Sequence, residues 1–479
     1  MSGRLLQKRT KIVATLGPAT DRPGVLERLL RAGVDVVRLN FSHGGAADRE
    51  RRVRMVRETA AALGQDVAIL GDLQGPKIRI EQFSEGEVEL VDGAPFVLDA
   101  ALAVDGGDQG AVGVTYKRLP NDVRAGDMLL LNDGMITLEV ERVAGTRVEC
   151  VVRVGGVLSG GKGINRQGGG LSAGALTDKD REDIELAARL EVDYLAVSFP
   201  RSAADMEEAR SLLRAAGGEA LLVAKIERAE AVTHIEEIAR ASEVVMVARG
   251  DLGVEIGFAE VPGVQKHIIR TARALNRVVI TATQMMESMI HEPIPTRAEV
   301  SDVANAVLDG SDAVMLSGET AVGRYPVKAV EAMASACLAA ERQRATSTSH
   351  HRMDEVFERT DEAIAMATMY TANHMDVRAI VALTESGNTA LWMSRIRSGI
   401  PIYAFSRNES TRRRVALYRG VYPVPFDVLA EQGEGEFDAI SRVLLERGLV
   451  SSGDRVLLTE GHAAGIAGGT NSMRILSVG

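Results

Sequence analysis

Eight short apolar runs recur between residues 10 and 342, nearly all ending in polar residues and separated by amphipathic helical stretches. They are KIVATLG from Lys11, DVVRLNFS from Asp35, DVAILGDLQ from Asp66, DYLAVSF from Asp193, LLVAKIE from Leu221, EVVMVARGDLG from Glu243, RVVITATQ from Arg277 and DAVMLSGET from Asp312. Most are rich in Leu or β-branched residues with little alternation, as strands buried on both faces of a parallel sheet are. Helical spacing marks 26–32, 179–190, 203–216 and 264–275. Eight strand–helix units predict an α/β chain built on a TIM (β/α)8 barrel.

The polar residues fall at the C-terminal ends of the runs, where such barrels carry their chemistry. Arg38, Asn40 and Ser42 end the second run and Asp72 the third. Lys225 and Glu227 end the fifth, Arg249 and Asp251 the sixth, Thr281 and Thr283 the seventh, Ser317 and Glu319 the eighth. Pairs at i, i+2 point to one side of an extended chain.

Two segments depart from this pattern. Between the third and fourth runs, EVELV, DMLLLNDGMITLEVERV and TRVECVVRV alternate and are joined by Asp-Gly and Ala-Gly turns, which predicts an inserted antiparallel β domain. Its return, SGGKGINRQGGG, reads as a hinge rather than a phosphate cradle, and no GxxxxGK[ST] pattern is present. Behind the polar stretch ATSTSHHRMDE, a helix over 361–375 leads into RAIVALT, IPIYAFS, VYPVPF, DRVLLTE and MRILSVG, the pattern of an open α/β sheet. The expected division is a discontinuous barrel (1–74 and 172–342), an inserted β-barrel lid (75–171) and a C-terminal α/β regulatory domain (343–479).

Composition excludes several function classes. With 56 basic against 66 acidic residues the net charge is −10, which disfavours general nucleic-acid binding but not a local anion site. Cys150 and Cys337 are too few for a disulfide framework, so a reducing cytoplasm is expected. No stretch reaches the roughly 18 to 20 apolar residues of a membrane span. The basic N-terminus lacks the apolar core of a secretory signal.

Lys225 and Glu227, with Asp251 on the next run, suggest a divalent cation beside a fixed ammonium, since two carboxylates plus substrate oxygens commonly hold Mg²⁺. By themselves they fit an ion pair capping the barrel equally well. Arg38 and Arg79 would complete a clamp on a transferring phosphoryl group, although each alone also fits a solvated surface role. Gly250, Asp251 and Thr283 could present donors to an anion at a turn. His43, Ser317 and Glu319 are polar loop positions without a signal of their own.

The strings KIVATLGPAT, VDVVRLNFSHG, GDLQGPKIRI, VAKIERAEAV, VMVARGDLGVEI, ITATQMMESM, PTRAEVSDVANAVLDGSDAVMLSGETAVGRYP and TESGNTA together resemble pyruvate kinases, in the same order from about Arg9 to the C-terminus. The resemblance implies glycolytic transfer of the phosphoryl group of phosphoenolpyruvate to ADP, giving pyruvate and ATP. It implies that Lys225 stabilises the phosphoryl group in flight and the enolate, and that Glu227 and Asp251 bind Mg²⁺ (or Mn²⁺). Arg38 and Arg79 would meet nucleotide and substrate phosphates, with His43 near the nucleotide. Thr283 and the backbone of Gly250 and Asp251 would hold the substrate carboxylate, and Ser317 and Glu319 would belong to the network that protonates the enolate. A homotetramer in the cytoplasm is the family expectation.

One departure carries its own expectation. Potassium-dependent members resemble D-T-K-G-P-E-I-R in the third strand and hold K⁺ at positions matching Asn40, Ser42, Asp72 and a threonine. Here Leu73 replaces the threonine and Lys77 the acidic residue. An ammonium from Lys77 replacing the cation predicts activity without K⁺. The loop Thr384, Glu385, Ser386, Gly387, Asn388, Thr389 resembles the family's effector-phosphate loop. The late loop EGHAAG from Glu460 lacks the Trp and Arg of a fructose 1,6-bisphosphate site, so a sugar monophosphate or AMP is the expected activator. Another Mg²⁺-dependent barrel enzyme would explain Glu227 and Asp251 but not the inserted domain or Lys77, and a non-catalytic sensor would not explain Lys225.

Overall fold

The computed structural model describes residues 8–347, 356–427, 436–461 and 468–479. Eight parallel strands close a barrel: β1 (Lys11–Thr15), β2 (Val36–Asn40), β3 (Ala68–Asp72), β4 (Tyr194–Val197), β5 (Leu221–Ile226), β6 (Val244–Ala248), β7 (Val278–Ala282) and β8 (Ala313–Leu316). Each strand pairs with its sequence neighbours and β8 closes on β1. Six of the eight, β1, β3, β4, β6, β7 and β8, are buried at every residue, the burial expected of near-continuous apolar runs. Strand β2 breaks the pattern at Arg38 and Asn40, and β5 at Leu221 and Lys225.

The floor of the barrel repeats one device on every second strand. A carboxylate immediately before each even strand accepts the second backbone N–H of the odd strand before it. Asp35 takes Ile12 N–H at 2.8 Å, Asp193 takes Ile69 at 2.8 Å, Glu243 takes Leu222 at 2.8 Å and Asp312 takes Val279 at 2.9 Å. Each carboxylate also meets a cation: Lys8 on Asp35, Arg57 and Arg413 on Asp193, Arg210 on Glu243, Arg395 on Asp312. Arg395 and Arg413 come from the C-terminal domain, which is thereby fastened to the floor.

That domain is a five-stranded sheet in the order β11-β10-β9-β12-β13, with β9 (Ala379–Leu383), β10 (Ile402–Ser406), β11 (Val421–Pro425), β12 (Arg455–Gly461) and β13 (Thr470–Ser477). Only the β12–β13 pair is antiparallel. The inserted domain follows β3 and forms a six-stranded and a two-stranded sheet. Most of its pairs are antiparallel, as alternation predicts, but Pro95–Asp99 runs parallel to Ala111–Gly113.

Packing divides these parts unequally. Residues lining the barrel interior, among them Val13, Leu70, Tyr194, Met246 and Met315, form one apolar cluster with Met393, Ile402, Leu417 and Tyr418 of the C-terminal domain. The inserted domain has a core of its own, from Ile78 to Leu171. Among the described residues, no helix is long and apolar enough to cross a membrane.

Candidate active site at the mouth of the barrel

The ends of β2, β3 and β5 bring four charges together. Arg38 Nε donates to Asp72 Oδ2 at 2.6 Å, and its NH1 reaches Thr15 Oγ1 at 3.1 Å. Lys225 Nζ lies 3.2 Å from Asp72 Oδ1, 2.9 Å from Glu227 Oε1 and 2.7 Å from Ser198 Oγ. Asp72 and Glu227 are only 1 % and 2 % exposed, so each needs a partner.

The two carboxylates titrate in opposite directions. Burial works to raise the Asp72 carboxyl, but Arg38 and Lys225 outweigh it and hold it below its ordinary value. Burial pushes the Glu227 carboxyl up, Lys225 pulls against it, and the charge of Asp251 adds to the rise, leaving it at about 7. Lys225 is itself raised: burial opposes the ammonium, yet Asp72 and Glu227 more than compensate. Glu227 is thus under like-charge pressure from Asp251, which a divalent cation between them would relieve. A pair of carboxylates, of which Asp251 lines a cavity, with other ligands left to substrate and water, suits Mg²⁺ or Mn²⁺.

Gly250 and Asp251 lie not in an open turn, as the sequence suggests, but in the first turn of the helix Arg249–Ile256. Gly250 N–H donates to Thr283 Oγ1 at 2.8 Å. Thr283 and Gln284 have φ of 67° and 51°, a left-handed conformation that is costly for a β-branched residue. The buried Arg249 guanidinium clamps this stretch, donating to Thr283 O at 2.7 Å and Gln284 O at 3.3 Å, while Asp302 anchors it at 2.7 Å.

The other expected residues are spread around this centre. Glu319 accepts the Ser317 and Met286 amides at 2.7 and 3.1 Å, and burial raises its carboxyl. Asn40 Oδ1 caps its own turn, accepting Ser42 N–H at 3.0 Å, and His43 is exposed beyond it. Lys77 is exposed and lines a cavity with Phe199, Arg228, Asp251 and Glu255, and its ammonium makes no ion pair among the described residues. The cations that neutralise Asp72 are Arg38 and Lys225. Arg79 is not drawn to the Lys225 cluster: its guanidinium donates to Gly161 O of the inserted domain at 2.5 Å. That domain's glycine-rich return is tied down, with Gly168 N–H on Glu255 O at 2.9 Å, Gly170 N–H on Glu230, and Arg228 on Leu171 O at 3.1 Å.

In the C-terminal domain Thr384 Oγ1 accepts Gly387 N–H at 2.9 Å, and Gly387, at φ 85°, precedes the helix Asn388–Ser394. Thr389 Oγ1 meets Thr470 Oγ1 at 2.7 Å. Ser386 is half-buried in the same loop. Of the late loop, His462 to Gly465 lie outside the described residues.

Residues 7–330 match the family profile described as pyruvate kinase, barrel domain, and residues 362–476 that of its alpha/beta domain. Over the whole of both chains, the protein is 57 % identical to pyruvate kinase II of Salmonella typhimurium and 55 % identical to a pyruvate kinase of Haemophilus influenzae. It is 42 % identical to a pyruvate kinase of Geobacillus stearothermophilus, over 98 % of this chain and 80 % of that one. The chain belongs to the pyruvate kinase family. Pyruvate kinases are phosphotransferases acting on phosphoenolpyruvate and ADP, and the barrel mouth described above carries the charges such substrates require.

One contributor, Ser198, stands outside the expected residues. Ser198 ends the fourth run as the polar residues end the others, so its signal was present in VSFP. Arg249 looked like a site residue at a strand end, whereas its guanidinium points into the protein.

Proposed function

We propose that this pyruvate kinase moves the phosphoryl group of phosphoenolpyruvate to ADP at the Arg38–Asp72–Lys225–Glu227 cluster, with Mg²⁺ or Mn²⁺ held by Glu227 and Asp251. The observation that carries this is the fully paired ammonium of Lys225 beside a carboxylate under pressure from Asp251. When bound, the metal ion supplies neutralisation of substrate phosphate oxygens. The protein supplies the rest. Lys225 and Arg38 hold positive charge where the phosphoryl group leaves the enol oxygen for the terminal phosphate of ADP. Thr283, with the first-turn backbone of Gly250 and Asp251, receives the substrate carboxylate at a helix N-terminus, Gly250 N–H exchanging Thr283 Oγ1 for a carboxylate oxygen. Ser317 and Glu319 belong to the network that delivers a proton to the enolate carbon. Arg79, at the root of the inserted domain, and His43 face the nucleotide, and closure of that domain excludes water.

K⁺ is not required in this reading. Asp72 is matched by two protein cations, Lys77 adds an ammonium without an ion pair among the described residues at the cavity, and Asn40 and Ser42 keep the remaining positions of the cation site. Thr384, Ser386, Gly387, Asn388 and Thr389 take the phosphate of a sugar monophosphate or of AMP, in a cytoplasmic homotetramer.

The test is Lys225→Met, assayed by phosphorus NMR for transfer from phosphoenolpyruvate to ADP. Loss of a charge-stabilising cation predicts a rate at least ~10³-fold lower with phosphoenolpyruvate still bound. Undiminished turnover would refute the reading. Ser386→Asp with Thr389→Asp should abolish activation by the phosphorylated effector and leave the basal rate intact.

A further inference from the structure

We infer that Ser198 is the positioning residue of Lys225, and that the two-residue turn Ser198–Phe199 is the bracket that aims the ammonium and the Glu227 carboxylate together. The inference rests on Lys225 being the cation of phosphoryl transfer.

An ammonium has three donors and no acceptor, and here three oxygens surround it. Two are the carboxylates of Asp72 and Glu227, at 3.2 and 2.9 Å; the third and nearest is Ser198 Oγ, at 2.7 Å. The Ser198 hydroxyl has no freedom to turn away. Its own proton goes to Leu73 O at 2.8 Å, which leaves its lone pairs for Lys225. At 1 % exposure it does not reach a substrate, so its action is exerted through Lys225.

The next residue holds the other half of the pair. Phe199 N–H donates to Glu227 Oε2 at 3.0 Å, and Phe199 sits at φ 56°, which a bulky residue adopts only when its surroundings impose it. Those surroundings include Gly75. A Cβ at Gly75 would stand 2.8 Å from Ser198 Cβ and 2.9 Å from Phe199 Cδ2, and Gly75 is itself at φ 68°. The glycine of the third-strand motif therefore makes room for the bracket.

The arrangement has a mechanistic use. Were Glu227 to hold a divalent cation, its carboxylate would have a weaker claim on Lys225. One ammonium proton would then be available for the transferring phosphoryl group, while Ser198 and Asp72 keep the other two directed. Without Ser198 the freed ammonium would swing between two carboxylates.

Two variants test this in the full-length enzyme with Mg²⁺. Ser198→Ala removes the acceptor; Ser198→Cys fills the space with a poor one. Both should lower kcat ~10- to 100-fold, with KM for phosphoenolpyruvate within ~3-fold and the thermal midpoint lowered by only a few degrees, the split expected when transition-state positioning is what is mainly lost. Native kcat in Ser198→Ala, or recovery of native kcat in Ser198→Cys, would overturn the inference. Lys225→Met run in parallel separates the two levels. If it abolishes turnover while Ser198→Ala is native, only the role of Ser198 falls; if Lys225→Met stays active, the function reading falls with it.

Discussion

Arg395 and Asp312 form a bidentate ion pair, 1 % and 0 % exposed, between the C-terminal domain and the barrel floor. Asp312 also accepts Val279 N–H at 2.9 Å and Arg419 N–H at 3.3 Å, and Arg395 donates to Arg277 O at 2.7 Å. Every oxygen of this carboxylate is used. Arg395→Ala would leave it buried without its cation, at a cost of about 3–5 kcal/mol. Chemical denaturation should show that loss, and the paired replacement Arg395→Met with Asp312→Asn, which keeps a neutral acceptor for Val279 N–H, should recover much of it. A loss under about 1 kcal/mol would mean that water reaches Asp312.

Metal binding should depend on pH through Glu227. Its carboxyl is raised from 4.5 to about 7, so below that value a proton competes with the cation. Mn²⁺ affinity, read by electron paramagnetic resonance, should fall ~10-fold per pH unit below about 7 and level off above it. The linkage sign for the metal-free protein is the reverse of a salt-bridged acid. The folded state favours the protonated carboxyl, so this group's contribution to stability is present at low pH and lost as pH rises through about 7. Affinity constant from about pH 5.5 to 8 would contradict the assignment of Glu227 as a ligand.

Thr283 trades stability for function. Thr283→Gly removes strain of ~1–2 kcal/mol at φ 67° and also the acceptor for Gly250 N–H. The two effects nearly cancel in stability. The thermal midpoint should stay within a few degrees, while kcat/KM for phosphoenolpyruvate drops ~10-fold or more. A large fall in the midpoint with native kcat/KM would make Thr283 a structural residue only.

Activity in tetramethylammonium buffer should change less than ~2-fold on adding K⁺ if, as proposed, Arg38, Lys225 and Lys77 supply the positive charge. Lys77→Glu should lower the rate, and K⁺ should partly restore it. Strong K⁺ stimulation of the native enzyme would refute the substitution of an ammonium for the cation.

The barrel was legible in the sequence because parallel strands buried on both faces read as apolar runs, and their polar ends mark one rim. That pattern alone assigns Lys225, Glu227 and Asp72 to the rim. The destination of long flexible side chains was not legible. Arg79 and Arg249 occupy strand-end or loop positions like Arg38, yet one reaches Gly161 of the inserted domain and the other turns inward to Thr283 and Asp302. The carboxylates before β2, β4, β6 and β8 were visible as the first letters of their runs. Their common role appears only when the strands are laid in register.

The C-terminal domain has one core of its own but shares a second apolar cluster with the barrel interior, whereas the inserted domain packs around its own core, and this difference defines what can open alone. Tyr418 and Leu417 stop the bottom of the barrel as a cork would, so releasing the C-terminal domain would wet the layers on which β5 to β7 stand. Amide exchange should therefore resolve two cooperative units rather than three: the inserted domain, and the barrel together with its cork. An effector acting on the C-terminal domain would be acting on part of the barrel itself.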